Sequence, residues 1–294
     1  MAPPLKTAIV GMAVTDHPLT GLGYAHPSAN RPLARIGVDG SVVESAIVAE
    51  EVPIALVYNG RPYVVVMGTP SDLEDLAIGF SRTEGVVDDT SLIEAVDVVR
   101  ASHGIELQIR IPAANADRLE ERVRGLVSRT GCGLCGVETI GEALRVPMHL
   151  SSRLTVQAGA LWDAGAALSR QQTLNNATNT VHAAGWASAD GELHVVREDV
   201  GRHNALDKVL GAMARLELTP ADGFLVITSR ASYEMVQKAA TCGVELLAAI
   251  SRPTGLAIRF AEAAEMTLVG LLRGRSANVY CHPERLMTKS RGVQ

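Results

Sequence analysis

Between Phe224 and Leu272 the chain repeats one pattern. The apolar run "FLVITS" leads to a helix expected from about residue 231, "LLAAI" leads to another from about 254, and "MTLVGLL" follows. Short runs with no polar alternation are strands buried on both faces, and strands separated by helices of about ten to fifteen residues lie parallel, each helix crossing back over the sheet. The C-terminal part is therefore expected to be an α/β layer. Composition agrees: 47% of residues are hydrophobic but only 3% aromatic, so the core is built from aliphatic side chains.

Upstream the periodicity is different. "SVVESAIVAEE" alternates, and "IALVY" and "PYVVVMGT" flank Asn59-Gly60, a dipeptide suited to a type I′ hairpin turn. In "SDLEDLAIGFSRTEG", Ser71 and Glu74 have capping-box spacing, Leu73, Leu76, Ala77 and Phe80 share a helical face, and Gly85 can end the helix. Residues 91–111 suggest two strands and 114–126 a helix. An Ala-rich helix is expected over 154–172, and a hairpin joins "VHAAGWA" to "ELHVVR" across Asp190-Gly191. The expected organisation is a flexible N-terminal arm (1–32), a smaller α+β lobe (33–128), a Cys-x-x-Cys loop (129–152) and a C-terminal α/β lobe (153–294).

A net charge of −5 with no long basic block argues against nucleic acid or a membrane surface as partner, and no apolar run reaches the length of a membrane span. Four cysteines in 294 residues make no disulfide framework, which points to the cytoplasm.

Ligands of parallel sheets lie beyond the carboxyl ends of the strands, where helix N-termini favour anions. Three such ends are polar here: Ser229 to Glu234, Ser251 to Thr254, and Arg273 to Ser276. Each serine or threonine alone could simply cap a helix, but three Arg/Ser loops on one edge favour a phosphate-bearing ligand. "REDVGRHNALDKV" at 197–209 crowds Glu198, Asp199, Arg202, His203, Asn204, Asp207 and Lys208 into one strand-to-helix junction. Either an internal Asp/Arg network or a polar-ligand site would use such a set. His182, taken alone, fits a sheet histidine.

"RTGCGLCGVE" puts Cys132 and Cys135 two residues apart among glycines. Structural zinc needs four ligands, so this pair would require help from Cys242, Cys281 or a histidine. Thioredoxin-like chemistry wants the pair at a helix start just after a strand, which the surrounding glycines do not suggest. A third reading is sulfur handling: a thiolate on a pliable loop takes sulfur as a persulfide and passes it on. A zinc deaminase also uses a C-x-x-C, but Cys132 follows Gly131 where proline is expected, and the one H-x-E, at His282, lies far downstream. Deaminase activity is rejected, while a shared fold stays open.

Several motifs in order, "FSRTEG" at 80–85, "RTGCGLCGVE" at 129–138, "EDVGRHNALDKVLG" at 198–211, "SRASYEMVQKAATCGVE" at 229–245 and "TLVG" at 267–270, resemble the FdhD/NarQ family of formate dehydrogenase accessory sulfurtransferases. The resemblance spans about residues 35 to 287. It implies a cytidine-deaminase-like C-terminal α/β lobe and a homodimer. It also implies a sulfur carrier that takes persulfide sulfur from a cysteine desulfurase and delivers it to the molybdenum bis-guanine-dinucleotide cofactor for formate dehydrogenase. By the same resemblance Cys132 is the carrier, Cys135 its partner, and Leu271, Leu272, Arg273, Gly274, Arg275 and Ser276 hold the cofactor, with Arg230, His203 and His182 as further candidates and no permanently bound metal. The chain departs from the family at Thr178-Asn179-Thr180, where glycine is usual before the histidine.

Overall fold

A computed structural model describes residues 20–119, 149–150 and 153–288. A 3-10 turn at Leu22–Tyr24 precedes strands β1 (Ser28–Gly37) and β2 (Gly40–Ala49), which pair antiparallel without a register break as a separate two-stranded ribbon. Residues 28–32, expected in the arm, thus belong to β1. Pro32 hides its strand character, because proline cannot donate to a ladder and reads as a breaker in sequence.

Strands β3 (Val52–Tyr58), β4 (Arg61–Gly68), β5 (Ala95–Ala101) and β6 (Gly104–Arg110) form a sheet in the order β4-β3-β6-β5. The Asn59-Gly60 turn forms as expected, with φ of 49° and 79°, the left-handed pair that a type I′ turn demands. Helix α1 (Leu73–Thr83) covers one face, packing Leu73, Leu76 and Ala77 on Ile54, Leu56 and Leu107. The capping box does not form. The helix instead starts from Asp72, left-handed at φ 51°, whose carboxylate lies 3.2 Å from Arg197 rather than over the helix N-terminus. Gly85, at φ 67°, does end it. Residues 113–119 are helical, and the remainder of the helix expected over 114–126 lies outside the described residues.

The second half contains β7 (Val156–Gln157), α2 (Ala158–Gln171), α3 (Thr173–Thr178), β8 (His182–Ser188), β9 (Leu193–Asp199), α4 (Arg202–Arg215), β10 (Gly223–Ile227), α5 (Tyr233–Thr241), β11 (Leu246–Ala249), α6 (Gly255–Ala263), β12 (Thr267–Arg273), β13 (Ser276–Cys281) and β14 (Leu286–Met287). The expected parallel layer is present as β10, β11 and β12, extended by antiparallel strands into a six-stranded sheet of order β13-β12-β11-β10-β8-β9. Alternate residues of each strand face opposite ways. Leu225, Ile227, Leu247 and Ala249 therefore meet α4, α5 and α6, while Phe224, Val226, Leu246 and Ala248 meet α2. The single helix expected over 154–172 is shorter and is followed at once by α3.

The two sheets are joined where α1 crosses α4. A Cβ on Gly79 would lie 1.8 Å from the Asp207 carbonyl oxygen, and one on Gly211 would lie 1.9 Å from that of Asp75. The backbones touch, and only glycine permits it. Gly211→Ala should therefore force the helices apart and lower unfolding stability by about 2 kcal/mol or more. Gly159→Ala, in α2 with open space around it, should raise stability by about 0.5–1 kcal/mol. Urea unfolding of the two variants beside wild type checks both signs.

Candidate functional site at the carboxyl edge of the six-stranded sheet

Strands β9, β10, β11 and β12 run the same way, so their carboxyl ends share one edge with the start of β8. His182 heads β8 opposite Asp199, the last residue of β9. Next to it, the Thr228 hydroxyl accepts from Ala183 N at 3.0 Å and donates to Ala183 O at 3.2 Å. The three polar loops are bound in series: Thr254 N donates to Ala231 O (3.1 Å) and Leu271 N to Ser251 O (3.0 Å). His182, His203, Arg230 and Leu271 thus belong to one continuous edge.

The first turns of α4 and α5 meet on this edge. His203 Nε2 lies 2.7 Å from a Glu234 carboxylate oxygen, too far off line for a good hydrogen bond. Arg202 Nε and Ser232 Oγ are buried without a partner among the described residues. Buried polar atoms are ordinarily satisfied, so two orphan groups at adjacent helix starts are the expected mark of a ligand that supplies the missing acceptor. Burial pushes the His203 imidazole below its usual pKa, against the opposing pull of Glu234, and Arg202 and Lys238 add to the depression. Burial, then Arg202, does the same to His182, with Asp199 opposing.

Most of the charge in 197–209 is consumed internally. Glu198 accepts from the N–H groups of Leu174 and Asn175, both at 2.8 Å, at the start of α3. Asp199 binds Lys208 (2.6 Å), Gly201 N (2.7 Å), Asn204 (3.0 Å) and Thr69 N (3.0 Å). Asp207 meets Thr83 (2.8 Å) and Lys238 (2.9 Å). The network reading of this segment holds for these residues, which leaves Arg202 and His203 facing the edge. Ser232 and Glu234 were legible only as members of a polar loop; a serine just ahead of a helix was the signal.

At the far end, Leu271 adopts φ 53° within an irregular stretch between Gly270 and Arg273. A leucine in this region is strained, and such strain concentrates at ligand sites. Arg273 and Gly274 lie at the hairpin into β13 and line a cavity of about 280 Å³ with Trp162, Gly165, Ser169 and Leu272. This cavity opens on the α2 side of the sheet, whereas Arg202, His203 and Ser232 belong to the α4–α5 side. The edge therefore offers two stations. Arg275 and Ser276 lie in the same hairpin and are exposed. Asn179, standing where glycine was expected, takes φ 54° and caps α3 through its N–H to Asn175 O (2.7 Å). Asparagine tolerates the left-handed conformation, so the turn closes here without a glycine.

Cys132 and Cys135 lie outside the described residues. Cys281 donates to Met266 O (3.3 Å), and burial pushes the Cys242 thiol up to about 12, so neither offers a thiolate. Among the described residues no group of three or more His, Cys, Asp or Glu is placed to hold a metal ion, and no helix is long and apolar enough to cross a membrane.

The FdhD/NarQ family model matches residues 49–287, and the chain belongs to that family. It is 51% identical over 240 residues to the sulfur carrier protein FdhD of Xanthomonas axonopodis pv. citri, covering 82% of this chain and 85% of the relative. It is 46% identical over 252 residues to the Bordetella petrii protein of the same name, covering 86% and 91%. The crystal structure of a protein assigned as a formate dehydrogenase accessory protein from Desulfotalea psychrophila superposes with a TM-score of 0.70 at 24% identity, covering 88% of this chain and 99% of that one, and so shares the fold.

If Arg202 Nε awaits an anion, Arg202→Ala should leave stability within about 1 kcal/mol, because that atom has no partner to lose among the described residues. It should also weaken binding of pyrophosphate or a nucleoside diphosphate about tenfold, the worth of one charge-assisted hydrogen bond. Calorimetric titration and urea unfolding of the same samples separate the two effects.

Proposed function

We propose that this protein is a sulfur carrier that serves formate dehydrogenase maturation. Cys132 receives sulfur from a cysteine desulfurase persulfide, and the molybdenum bis-guanine-dinucleotide cofactor, held at the sheet edge, is the substrate that receives it. The observation that carries the reading is the pairing of a Cys-x-x-Cys segment with an edge that carries orphan buried donors, in a chain about half identical to proteins named sulfur carriers. We further read the C-terminal lobe as cytidine-deaminase-like, the protein as cytoplasmic, and the working assembly as two copies.

The chemistry balances on the two thiols. Cys132 thiolate attacks the terminal sulfur of the donor persulfide; the donor S–S bond breaks, the donor thiolate leaves, and Cys132 carries the persulfide. Cys135 thiolate then attacks Cys132 Sγ and expels hydrosulfide, which supplies the two electrons that convert sulfane sulfur to sulfide. The resulting Cys132–Cys135 disulfide is reset by a dithiol reductant.

The substrate carries phosphates, and the groups available suit them. Arg202 Nε and Ser232 Oγ are unpartnered donors at helix starts, Arg230 is exposed beside them, and Arg273, Gly274, Arg275 and Ser276 form the second station. His203 and His182, held toward neutral imidazole, can donate or accept without adding charge. The zinc reading requires ligands beyond Cys132 and Cys135, and Cys242 and Cys281 are both committed to packing.

Intact mass spectrometry after incubation with a cysteine desulfurase and free cysteine tests the carrier. Wild type should gain one reducible sulfur, Cys132→Ala none, and Cys135→Ala should load but fail to release it as hydrosulfide. Loading that persists in Cys132→Ala overturns the assignment. Absence of loading together with stoichiometric zinc overturns the function.

A further inference from the structure

Helix α2 carries two stripes. Leu161, Ala164 and Leu168 are buried in the core against the six-stranded sheet. Trp162, Gly165, Ala166 and Ser169 have the i, i+3, i+4 and i+7 spacing of a second helical face. All four line the cavity of about 280 Å³ that opens on this side of the carboxyl edge, and the sheet closes it with Ile250, Leu272 and Arg273.

The sheet wall is built by a departure from regular pairing. Val269 packs on the α2 side, and alternation would bring Leu271 to the same side. Leu271 instead takes φ 53° where the β12–β13 register shifts, and Leu272 is the residue buried with the α2 cluster. An irregularity of this kind re-aims a side chain. Gly165 admits the result: a Cβ there would lie 3.1 Å from Leu272 Cδ2, so glycine lets the leucine come up to the helix with no side chain between them.

Trp162 gives this cavity its chemical preference. The other tryptophan, Trp186, is 3% exposed in the core on the opposite side of the sheet. Trp162 is half-buried, packs on the α2-side core, and pairs with no aromatic ring among the described residues. An indole bordering a cavity offers a flat π surface to a second ring. Ser169 Oγ donates to Gly165 O at 3.2 Å and keeps its lone pairs as acceptors. Arg273 is exposed and is the only charged residue lining the cavity, so an anionic group suits the position beside the ring and a cation does not. The volume lies just below the usual range of about 300–1,000 Å³ for small-molecule sites, enough for one ring system and too little for a whole dinucleotide.

We propose that the cavity takes the nucleobase end of a nucleotide, the base stacked on Trp162 and the phosphates outside the cavity along the edge. Trp162 is then the residue that distinguishes a nucleotide from a bare phosphate compound. This rests on the reading above that a guanine dinucleotide is the substrate held at the edge. It adds α2 to a site otherwise defined by strand ends and by the starts of α4 and α5.

Two variants oppose the base in different ways. Trp162→Leu deletes the ring, and Ala166→Leu fills the cavity from an exposed position of the same stripe. Leucine is a good helix former, and circular dichroism verifies that both variants fold. The probes are guanosine diphosphate and pyrophosphate, titrated by calorimetry. Guanosine diphosphate should quench the tryptophan emission of wild type, and each variant should weaken its binding about tenfold or more, the worth of one base–aromatic stack. Pyrophosphate, which has no base, should bind both variants as it binds wild type. Unchanged binding of guanosine diphosphate in either variant, or a parallel loss of pyrophosphate, overturns the base site; the phosphate reading of the edge then stands or falls on wild-type binding of pyrophosphate alone. A wild type that binds neither probe overturns both, while sulfur loading of Cys132 remains a separate readout.

Discussion

The backbone contact between α1 and α4 is the constraint on which the rest depends. Because Gly79 and Gly211 let the two helices touch, Thr83 and Glu84 at the end of α1 come within reach of Asp207 on α4 and Lys238 on α5. Lys238 then bonds Asp207, Thr83 and Glu84 and lies 5.3 Å from the centre of the Phe80 ring. Burial opposes its charge, but Asp207 and Glu84 outweigh that and hold the ammonium above its ordinary range. A second buried pair, Asp199 with Lys208, ties β4 to α4 through Thr69. Buried ion pairs contribute little net stability over apolar packing, but they are costly to break and therefore fix geometry. What they fix is the height of α4 and α5: His203 is one turn before Asp207, and Glu234 one turn before Lys238. The N-terminal sheet thereby positions the carboxyl edge of the C-terminal one.

This coupling explains which parts of the molecule were legible in sequence. Local signals were sufficient where the determinant is local. The aliphatic runs at 224–273 gave parallel strands, Asn59-Gly60 gave the turn, and Gly85 the helix end. The same logic failed at Ser71 and Glu74, whose capping pattern gives way to the Asp72–Arg197 contact across 125 positions of sequence. It failed at β1, where Pro32 obscured a strand whose pairing partner was already recognised. Likewise, the charge density at 197–209 could be read but not apportioned, because Asp199, Arg197 and Asp207 answer to Thr69, Asp75 and Thr83, more than 120 residues away. Nothing local distinguishes Gly79 and Gly211 from ordinary helix glycines.

The candidate edge was easier to find than to interpret. The loops singled out in sequence do share one edge, since β10, β11 and β12 end together and the segments that follow them are hydrogen-bonded to one another. The rule does not say which polar groups remain unspent. That depends on subtraction: Glu198, Asp199, Asn204, Asp207 and Lys208 are satisfied by the protein, whereas Arg202 Nε and Ser232 Oγ have no partner among the described residues. A site defined by what is left over is invisible until every partner is assigned.

The chain around the two thiols is anchored away from this edge. Leu150 N donates to Ala264 O, and Glu245 accepts from the N–H groups of Arg153 and Leu154. Ala264 and Glu245 precede β12 and β11, so the chain re-enters the fold at the amino ends of the parallel strands, opposite the orphan donors. It departs near Asn115, which donates to Val86 O beyond the end of α1. The point where the described chain resumes and the orphan donors of Arg202 and Ser232 thus stand at opposite ends of the parallel strands, and the polar groups of the two ends do not share partners.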